Sequence, residues 1–598
     1  MNKIYKVVWN ATRGCYVVAS ELVKTHQGKK STRRGGNILS RAGAALLLAI
    51  AGWGAACNFI YADVTVADQK HYGNTVKVTD IANSGKQYDI TNQQVKGGNA
   101  LNKFDNFGIK QHDVANLHMG EANHQINVVK NKIDIDGVVN AIKDNKIGGD
   151  VYFFSNAGIA VGEHGVFNVG RLTLGTNAAY GEALYNGGME SHLQKTAAEQ
   201  AKAVAGGSDI SLNGKVYAQD DVVLGAGSVN VKGGEIRTHR NNADTYADKK
   251  AAEAYRNQLV NVSPSATVAT ALGHGDIALA AVGASSVAKP FETKGAIVID
   301  QAYMDAAGGD TSVIASAERN GGNLMGSKAD ASVEISNATI QGQNVAISAE
   351  TKVSGKVGSA DAYKTGAEED GILGLLHATF DEQVGSLASV VKTGADSRVT
   401  VKDSTLTAAK DLAISSKAES EIGSETGGAL GVGINVGIAD VSSKVEIQGT
   451  SGLTAGKDLA ISAEGSNAID LQRQGSAEDL PIAIDLGWAE AKTDASVTVA
   501  KEATLKAREN VDVSAKAERN LSVEVENSSG DGTLGLAVGV IQSETKATAD
   551  VQGKVYADGK VSVSAENTVS DENGKYDPDT LHIMSESESD DGTSSDPI

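Results

Sequence analysis

A short apolar phrase recurs along the second half of the chain and predicts its fold. Each copy alternates apolar with small or polar residues, a pattern of period two that is typical of a β-strand with one buried face. The copies lie at 345–350, 411–415, 458–464, 510–515 and 560–566. Their central serines, Ser348, Ser415, Ser462, Ser514 and Ser564, are separated by 67, 47, 52 and 50 residues. The first four copies each follow a second strand-like run, at 333–335, 399–401, 445–447 and 497–499.

A repeat of about 50 residues that carries two or three strands predicts a solenoid. A single coil cannot bury its apolar face, but coils stacked on one another pair their strands at a spacing of about 4.8 Å. We therefore predict an all-β fold, a right-handed parallel β-helix with short helical insertions and a disordered C-terminal tail. If each coil takes roughly 20 residues, some 20 coils would form a rod about 100 Å long.

Three runs between the phrases alternate apolar and small residues strictly, at 430–438, 482–488 and 534–540. The run at 482–488 contains Trp488. The period of two gives each run one apolar face. We expect this face to point into the β-helix. The alternative is that such strands insert into a host membrane, as those of a toxin would.

Residues 63–300 have short apolar runs separated by Asn, Asp and Gly, and this spacing predicts short strands with tight corners. Two segments differ, because they are rich in the helix-forming residues Ala, Glu, Lys and Gln. They are Met189–Ala205 and Asn242–Leu259. We predict helical insertions that protrude from one face, with flexible loops as the alternative.

The C-terminal segment 568–598 is mostly Asp, Glu, Ser, Gly and Pro from Ser570 onward. Because we find no periodic apolar pattern there, we predict a disordered acidic tail. It contains no run of alternating strands that would form a C-terminal β-barrel. We therefore expect a separate outer-membrane transporter to export the chain, which could also be a piece of a longer exoprotein.

Composition and charge narrow the choice of function. Aromatic residues make up 4% of the chain, and the formal net charge is −20. Few large side chains suit a narrow interior, and an acidic surface argues against general nucleic-acid binding, which needs basic residues to displace phosphate counterions. Residues 1–62 carry nine Lys/Arg and only Glu21 as an acid, so the rest of the chain carries −28.

The basic N-terminal segment precedes an uncharged stretch whose apolar core, 42–56, is typical of a signal peptide. We predict cleavage between Ala62 and Asp63. A permanent membrane anchor over 42–62 and a lipid anchor on Cys57 are the alternatives. Cys15 and Cys57 are the only cysteines, so the mature chain would have none, which favours passage through an oxidising periplasm in the unfolded state.

An ordinary signal peptide is about 15–30 residues long, whereas this leader extends over 1–62. Its first 24 residues, from Met1-Asn2-Lys3-Ile4-Tyr5 to Leu22-Val23-Lys24, resemble the extended signal-peptide region of large type V secreted proteins. The resemblance implies export by a Gram-negative bacterium through the Sec translocon, with removal of the leader by signal peptidase.

A second resemblance covers 99–176. Segments such as Ile133-Asp134-Ile135-Asp136-Gly137 and Gly165-Val166-Phe167-Asn168-Val169 are similar to the secretion domain of two-partner-secretion exoproteins, in particular leukotoxin-type filamentous adhesins of the filamentous haemagglutinin family. The family usually has a proline in the turn that reads Ser155-Asn156-Ala157-Gly158 here. The resemblance implies that the region is recognised by a partner transporter and initiates folding outside the cell. The residues implied in this role are Asn116, Asp136, Gly137, Asn140, Asn156, Gly158, Gly165 and Asn168.

No motif of catalysis or of cofactor binding is found. The chain has no phosphate-cradling loop and no Gly-Xaa-Ser-Xaa-Gly elbow. His112, His118 and His124 recur every six residues, but Gly120 would interrupt a common strand, so we do not predict a metal site. We expect no catalytic residues, no metal and no cofactor.

The sequence predicts an extended signal peptide at 1–62, a two-partner-secretion domain at 63–300, a repetitive β-helix body at 301–567 and the tail at 568–598. We expect a non-enzymatic filamentous adhesin, exported through the periplasm by an outer-membrane transporter and then secreted or displayed on the cell surface, where it binds a host-cell surface molecule. The alternatives are a leukotoxin or haemolysin-type cytolysin that uses the same export route, and a β-helix carbohydrate-active enzyme.

Overall fold

A computed structural model of the chain describes 5–10, 15–20, 64–66, 74–81, 84–92, 94–144, 146–238, 275–286, 289–306, 308–320, 326–357, 388–428, 432–477, 482–529, 534–569 and 580–587. The chain divides into two compact units, Met1–Ile60 and Tyr61–Ile598. In the first unit, β1 (Tyr5–Asn10) and β2 (Cys15–Ser20) pair as an antiparallel hairpin. Among the described residues no helix has the length and apolarity needed to cross a membrane.

The described part of the second unit consists almost entirely of strands. Up to the first helix these are β3 (Thr65–Val66), β4 (Thr75–Asp80), β5 (Lys86–Thr91), β6 (Val95–Lys96), β7 (Asn99–Ile109), β8 (Val114–His118), β9 (His124–Val129), β10 (Ile133–Ile135), β11 (Val138–Lys143), β12 (Lys146–Ile147), β13 (Asp150–Phe154), β14 (Ile159–Val161), β15 (Val166–Val169) and β16 (Arg171–Gly175). The described helices that follow are α1 (Ala178–Ala183), α2 (Met189–Leu193) and α3 (Ala197–Val204). A π-helical turn, Leu184–Gly188, joins α1 to α2.

After the helices the strands continue and become longer. They are β17 (Asp209–Leu212), β18 (Lys215–Ala218), β19 (Val222–Ala226), β20 (Ser228–Lys232), β21 (Glu235–Arg237), β22 (Ile277–Val282), β23 (Ala284–Ser286), β24 (Lys289–Asp300), β25 (Tyr303–Ala306), β26 (Thr311–Asn320), β27 (Ser327–Ser336), β28 (Thr339–Gly342), β29 (Val345–Val357), β30 (Ala388–Lys402) and β31 (Thr405–Ala408). The remaining strands are β32 (Leu412–Gly428), β33 (Val432–Gln448), β34 (Gly452–Ala455), β35 (Leu459–Ala477), β36 (Ile482–Val499), β37 (Thr504–Ala507), β38 (Val511–Ser529), β39 (Leu534–Val551), β40 (Lys554–Ala557), β41 (Val561–Val569) and β42 (Thr580–Ser587).

The strands follow a three-part cycle, which confirms the prediction of a parallel β-helix. Each coil contributes one strand to sheet 1, the next to sheet 2 and a third to sheet 3. The coil of β35, β36 and β37, for example, pairs in parallel with that of β32, β33 and β34 on one side and with that of β38, β39 and β40 on the other. The sheets continue without a break across residue 300, where β24 pairs with both β20 and β27.

The recurring phrases stack directly on one another in sheet 1. Ser348 lies opposite Ser415, Ser415 opposite Ser462, Ser462 opposite Ser514, and Ser514 opposite Ser564. Each gap of 47 to 67 residues is therefore one coil, so the expected coil length of roughly 20 residues is wrong for the body. The coils are long because their strands are long: β13 has five residues, whereas β35 and β38 each have 19.

The long strands extend beyond the three-sheeted core and form a two-layered projection, which we call the fin. The fin consists of 416–428, 464–477 and 516–529 in sheet 1, and of 388–397, 432–443, 482–495 and 534–547 in sheet 2. Hydroxyl pairs join the two layers between successive coils, β30 to β32, with Ser397 Oγ 2.7 Å from Ser416 Oγ and Thr393 Oγ1 2.7 Å from Ser420 Oγ. The fin has an apolar core of its own, with Ile469, Leu471, Val523 and Val525 among its members.

The interior of the N-terminal coils holds aromatic side chains despite their scarcity in the sequence. Phe104, Phe107, Phe153 and Phe167 meet edge to face in the core, with neighbouring ring centroids 4.9–5.9 Å apart. Half of the chain's eight phenylalanines are therefore in this one group. The body behind them is filled mainly by Val, Ile, Leu and Ala.

The helical prediction for Met189–Ala205 is confirmed as α2 and α3, although the helical segment already begins at Ala178. The segment does not protrude from the solenoid. Leu184, Met189, Ala201 and Val204 pack on the outer face of sheet 1, against residues that include Tyr152 and Phe154. Asn242–Leu259, the second segment with a helical composition, lies outside the described residues.

At the N-terminal end of the solenoid, antiparallel strands cover the first coil. β3 and β6 pair with β7, and β4 pairs with β5. At the other end, the prediction of a disordered tail is wrong for β42, which pairs in parallel with the outer half of β38. The rest of the tail from Ser570, the predicted signal core 42–56 and the predicted cleavage site between Ala62 and Asp63 lie outside the described residues.

Candidate functional site

Three of the residues implied by the family resemblance form one ladder of side-chain amides. Asn116, Asn140 and Asn168 occupy successive positions on β8, β11 and β15. Asn168 Nδ2 donates to Asn140 Oδ1 at 2.8 Å, and Asn140 Nδ2 donates to Asn116 Oδ1 at 3.1 Å. Asn116 Nδ2 donates in turn to Asp89 Oδ1 of β5 at 3.1 Å.

The ladder lies on the outer face of sheet 3, yet its asparagines are at most 1% exposed. Their chain neighbours, such as Ala115 and Phe167, point into the main core, and alternation along a strand places the asparagines on the opposite side. A small apolar cluster that includes Ile142, Ile147 and Tyr217 lies on that side. The ladder amides are therefore inaccessible from outside once the chain has folded. A transporter could contact them only before folding.

Asp89 is a ladder residue that the sequence did not single out. Burial alone would raise the pKa of its carboxyl group, but hydrogen bonds from Gln87, His118 and Asn116 outweigh burial and lower that pKa below its ordinary value. The carboxylate thus ends the ladder as a charged acceptor. Its spacing from Asn116 could not identify it, because β4 and β5 form an antiparallel hairpin that enters sheet 3 from outside the regular coils.

The turns between sheets 2 and 3 hold Asp136, Gly137 and Gly165. Asp136 Oδ1 accepts a hydrogen bond from the backbone N–H of His164 at 3.0 Å, one coil further on. A Cβ atom on Gly137 would meet the carbonyl oxygens of Lys110 and Asp113, so the close stacking of these turns requires glycine there.

Asn156 and Gly158 lie in the turn from sheet 1 to sheet 2. Asn156 Oδ1 accepts from the N–H of Ala178 at 2.8 Å and so ties this turn to the start of α1. Gly158 has a φ of 95°, in the left-handed region that favours glycine. Asn156, unlike the ladder, is exposed. The structure thus brings the eight predicted residues together as three sets, which are the ladder and two groups of turn residues.

A polar cluster lies where the helical segment packs on sheet 1. His192 of α2 is fully buried, and its Nδ1 lies 3.1 Å from the hydroxyl of Tyr180. The rings of Tyr152 and His192 meet edge to face, 5.9 Å apart. Burial, together with the nearby cations Lys195 and Arg171, lowers the pKa of His192 to about 4. The packed helices therefore hold a neutral histidine.

The interior of the fin contains an ion pair that the sequence did not reveal. Arg473 Nε donates to Asp485 Oδ1 at 2.7 Å, and both side chains are 2% exposed. Asn527 Nδ2 donates to the second carboxylate oxygen. A Cβ on Gly433 would overlap the guanidinium group, so glycine in β33 makes room for arginine from β35.

The apolar alternation in the fin faces the opposite way from the prediction. In β33 and β36 the buried positions are held by small or polar residues, Gly433, Asn435, Gly437, Ala483, Asp485 and Gly487. The apolar residues point outward and are half-buried or exposed: Ile434, Val436, Ile438, Ile484, Leu486 and Trp488. The reason is the narrow gap between the layers, which the side chains of sheet 1 already fill. A Cβ on Gly487, for example, would lie 2.7 Å from methyl groups of Val523 and Val525.

Parallel register brings these outward residues into rows across the coils. Val390, Val436, Trp488 and Val540 form one row, Ile434, Leu486 and Val538 a second, and Ile484 and Leu536 a third. We call these nine residues the apolar face. Ile484 and Leu536 are 39% and 49% exposed, so the face is open to solvent.

Neither an enzymatic nor a metal centre stands out among the described residues. A groove of about 790 Å³ runs along sheet 3 beside Lys506, Arg508, Lys554 and Tyr556, and no carboxylate lines it. No group of three or more His, Cys, Asp or Glu in the described part of the chain could hold a metal ion. The three evenly spaced histidines are in fact separated, with His112 in a turn, His118 ending β8 in sheet 3 and His124 beginning β9 in sheet 1.

Comparison with known families supports the export signal. Residues 1–50 match the family described as the extended signal peptide of the type V secretion system. No curated protein matches the chain. The match indicates a type V exoprotein of a Gram-negative bacterium, with Sec export and an outer-membrane transporter as its partner.

Proposed function

We propose that the chain is a filamentous adhesin of the two-partner-secretion class, delivered to the outer cell surface or released, where it binds a host-cell molecule without enzymatic activity. The observation that carries the proposal is the sequence of parts along the chain. A type V export signal comes first. It is followed by coils that antiparallel strands cover at the N-terminal end and that contain the asparagine ladder. These coils continue directly into the long solenoid.

Each folded coil exposes strand edges whose N–H and C=O groups can pair with the next coil. Folding that begins at the covered N-terminal end can therefore proceed coil by coil. The buried ladder of Asn116, Asn140 and Asn168 favours a role of these residues in that first folding step. In this proposal the partner transporter binds the same region while it is still unfolded.

The test is a deletion of 99–176, which removes the first coils together with the ladder. The protein should then remain in the periplasm, as measured by fractionation and surface labelling. The matched control is deletion of 459–510, which removes one whole coil of the body and joins positions that already stack, since Leu459 lies opposite Val511. Normal surface delivery of the first variant, or equal retention of both, would contradict the assignment.

A second candidate is a cytolysin that uses the same export route, and the apolar face of the fin favours it. Leakage of dye from vesicles of host-like lipid composition would identify a cytolysin, whereas an adhesin should bind cells without leakage. The carbohydrate-active enzyme is the least supported alternative, because the groove beside sheet 3 lacks the paired carboxylates of such enzymes. Release of products from a panel of polysaccharides would establish it.

A further inference from the structure

The apolar face is not explained by the packing of its own chain. The fin core is complete without it, because Ile469, Leu471, Val523 and Val525 fill the space between the layers from sheet 1. Single exposed apolar residues are common on proteins, but aligned rows of Val, Ile, Leu and Trp on neighbouring strands form a continuous patch. Such a patch indicates an interaction surface.

The face occupies only one side of the fin. The opposite side, the outer face of sheet 1, carries Glu421, Glu425, Gln472, Glu524 and Glu526 at half-buried or exposed positions. An acidic reverse side and an apolar face without basic residues do not suit an anionic membrane surface, which attracts Lys and Arg. The charge pattern therefore favours a protein over an anionic membrane as the occupant, and the test below includes a neutral lipid surface.

The border of the face carries charges of both signs. Lys392 and Glu490 occupy the row next to Trp488, and Asp440, Lys492 and Glu544 occupy the row after that. Lys492 Nζ lies 3.6 Å from Glu544 Oε2, and both side chains are more than half exposed. Two identical faces related by a twofold axis can place such a mixed border so that unlike charges meet.

We propose that the apolar face binds the same face of a second copy of this chain. Nine residues, each covering about 6.8 Å along its strand and about 4.8 Å across it, give a footprint of about 300 Å² per copy. The buried total of about 600 Å² is well below the 1,200–2,000 Å² typical of stable complexes. The contact is therefore weak in dilute solution and becomes populated where copies are concentrated, as they would be on a cell surface if the proposed function holds.

Trp488 provides the probe, because the other tryptophans, Trp9 and Trp53, lie in the leader. For the secreted protein, the emission of Trp488 should shift to shorter wavelength as the concentration rises, in step with an increase in sedimentation coefficient. Leu486→Glu should weaken the association roughly tenfold or more, since each contact would then bury two unpaired carboxylates. Ile484→Glu serves the same purpose at a more exposed position, and Thr498→Glu, on the outer face of the same strand beyond the charged border, should have no effect.

The outcomes separate the possible occupants. Concentration-dependent association that the two face variants reduce and Thr498→Glu does not would support the proposal. A shift of Trp488 emission only on addition of phosphatidylcholine vesicles would assign the face to membranes and overturn it. Absence of association, or association unchanged by either face variant, would also overturn it. None of these results depends on the export assay, so failure of the proposed function would be recognised separately.

Discussion

Replacement of Asn140 by leucine should destabilise the first coils locally. Asn140 is fully buried and makes two ladder hydrogen bonds, of 3.1 Å to Asn116 and 2.8 Å from Asn168. Leucine has the same branched side chain of four heavy atoms, although its methyl groups are bulkier, and it leaves the Asn116 oxygen and the Asn168 amide without this partner. Because an orphaned buried polar group costs about 1–3 kcal/mol, the two together should cost about 2–6 kcal/mol.

Native-state hydrogen exchange of peptides that cover β8, β11 and β15 measures this cost. A solenoid opens locally, so a single global unfolding midpoint would not isolate the effect. The control is Asn230→Leu, at an exposed position of β20, which should change exchange by no more than about 0.5 kcal/mol. Replacement of all three ladder asparagines by leucine should cost less than three times the single change, because the orphaned atoms are removed with their partners.

The reasoning would be refuted if Asn140→Leu altered exchange in these strands no more than Asn230→Leu does. It would also be refuted if the triple variant lost three times as much stability as the single variant. Either result would mean that the ladder amides contribute little beyond their packing volume.

Three further predictions concern charged or titratable groups. Asp485→Ala should destabilise the fin by about 3–5 kcal/mol, because it leaves Arg473 buried without its counter-ion. Arg473→Met combined with Asp485→Leu should cost less, about 1–3 kcal/mol, because only the Asn527 amide loses its acceptor. Exchange in β35 and β36 measures both losses, and equal losses in the two variants would contradict this. Packing of the helical segment lowers the pKa of His192. As pH falls from about 6.5 to 4, the histidine therefore binds a proton in the unpacked state but not in the packed state, and the helical segment should loosen. Faster proteolysis within 178–204 should show this, and His192→Gln should remove the pH dependence. The pKa of Asp89 is also lowered in the folded chain. Its contribution to the stability of the ladder should therefore persist above about pH 4 and be lost in stronger acid. Hydrogen exchange in β5 and β8 should show this loss, and Asp89→Asn should no longer show it.

The sequence predicted the solenoid because its strands repeat with nearly identical phrases, and phrases of that kind stack in register. The copies around Ser415 and Ser462 read almost alike and lie opposite each other. The coil length was wrong because periodicity within a strand says nothing about how far the strand extends past the three-sheeted core. Only the position of the next stacked phrase, 47 residues later, defines a coil.

The orientation of the fin strands could not be derived from their alternation. A period of two establishes that Ile484, Leu486 and Trp488 share a face, but not that this face is the outer one. The outcome depends on the facing layer, where Val523 and Val525 leave no room for a Cβ atom at Gly487. Likewise, the pairing of Arg473 with Asp485 depends on which positions of two separate strands face each other, and neither strand shows this alone.

Other errors arose because the composition of a segment does not show which distant residues it packs against. The acidic residues around 580–587 suggested disorder, but β42 completes the edge of β38. The helix-forming composition of Met189–Ala205 was interpreted correctly as helical, but its contact surface on sheet 1 lies on residues such as Tyr152 that are distant in the sequence.

The central claim is that each recurring phrase stacks on the preceding one, and a single distance tests it. Ser348 and Ser564 are far apart in the sequence, yet they lie in the same row of sheet 1, four strand spacings apart. Spin labels on cysteines at these two positions, with Cys15 and Cys57 replaced by serine, would report their separation by pulsed electron paramagnetic resonance. The stacked solenoid predicts a backbone separation of about 19 Å, narrowly distributed apart from the label arms. A separation more than about twice that value, or a distribution without a peak, would contradict the fold described above and the functions proposed from it.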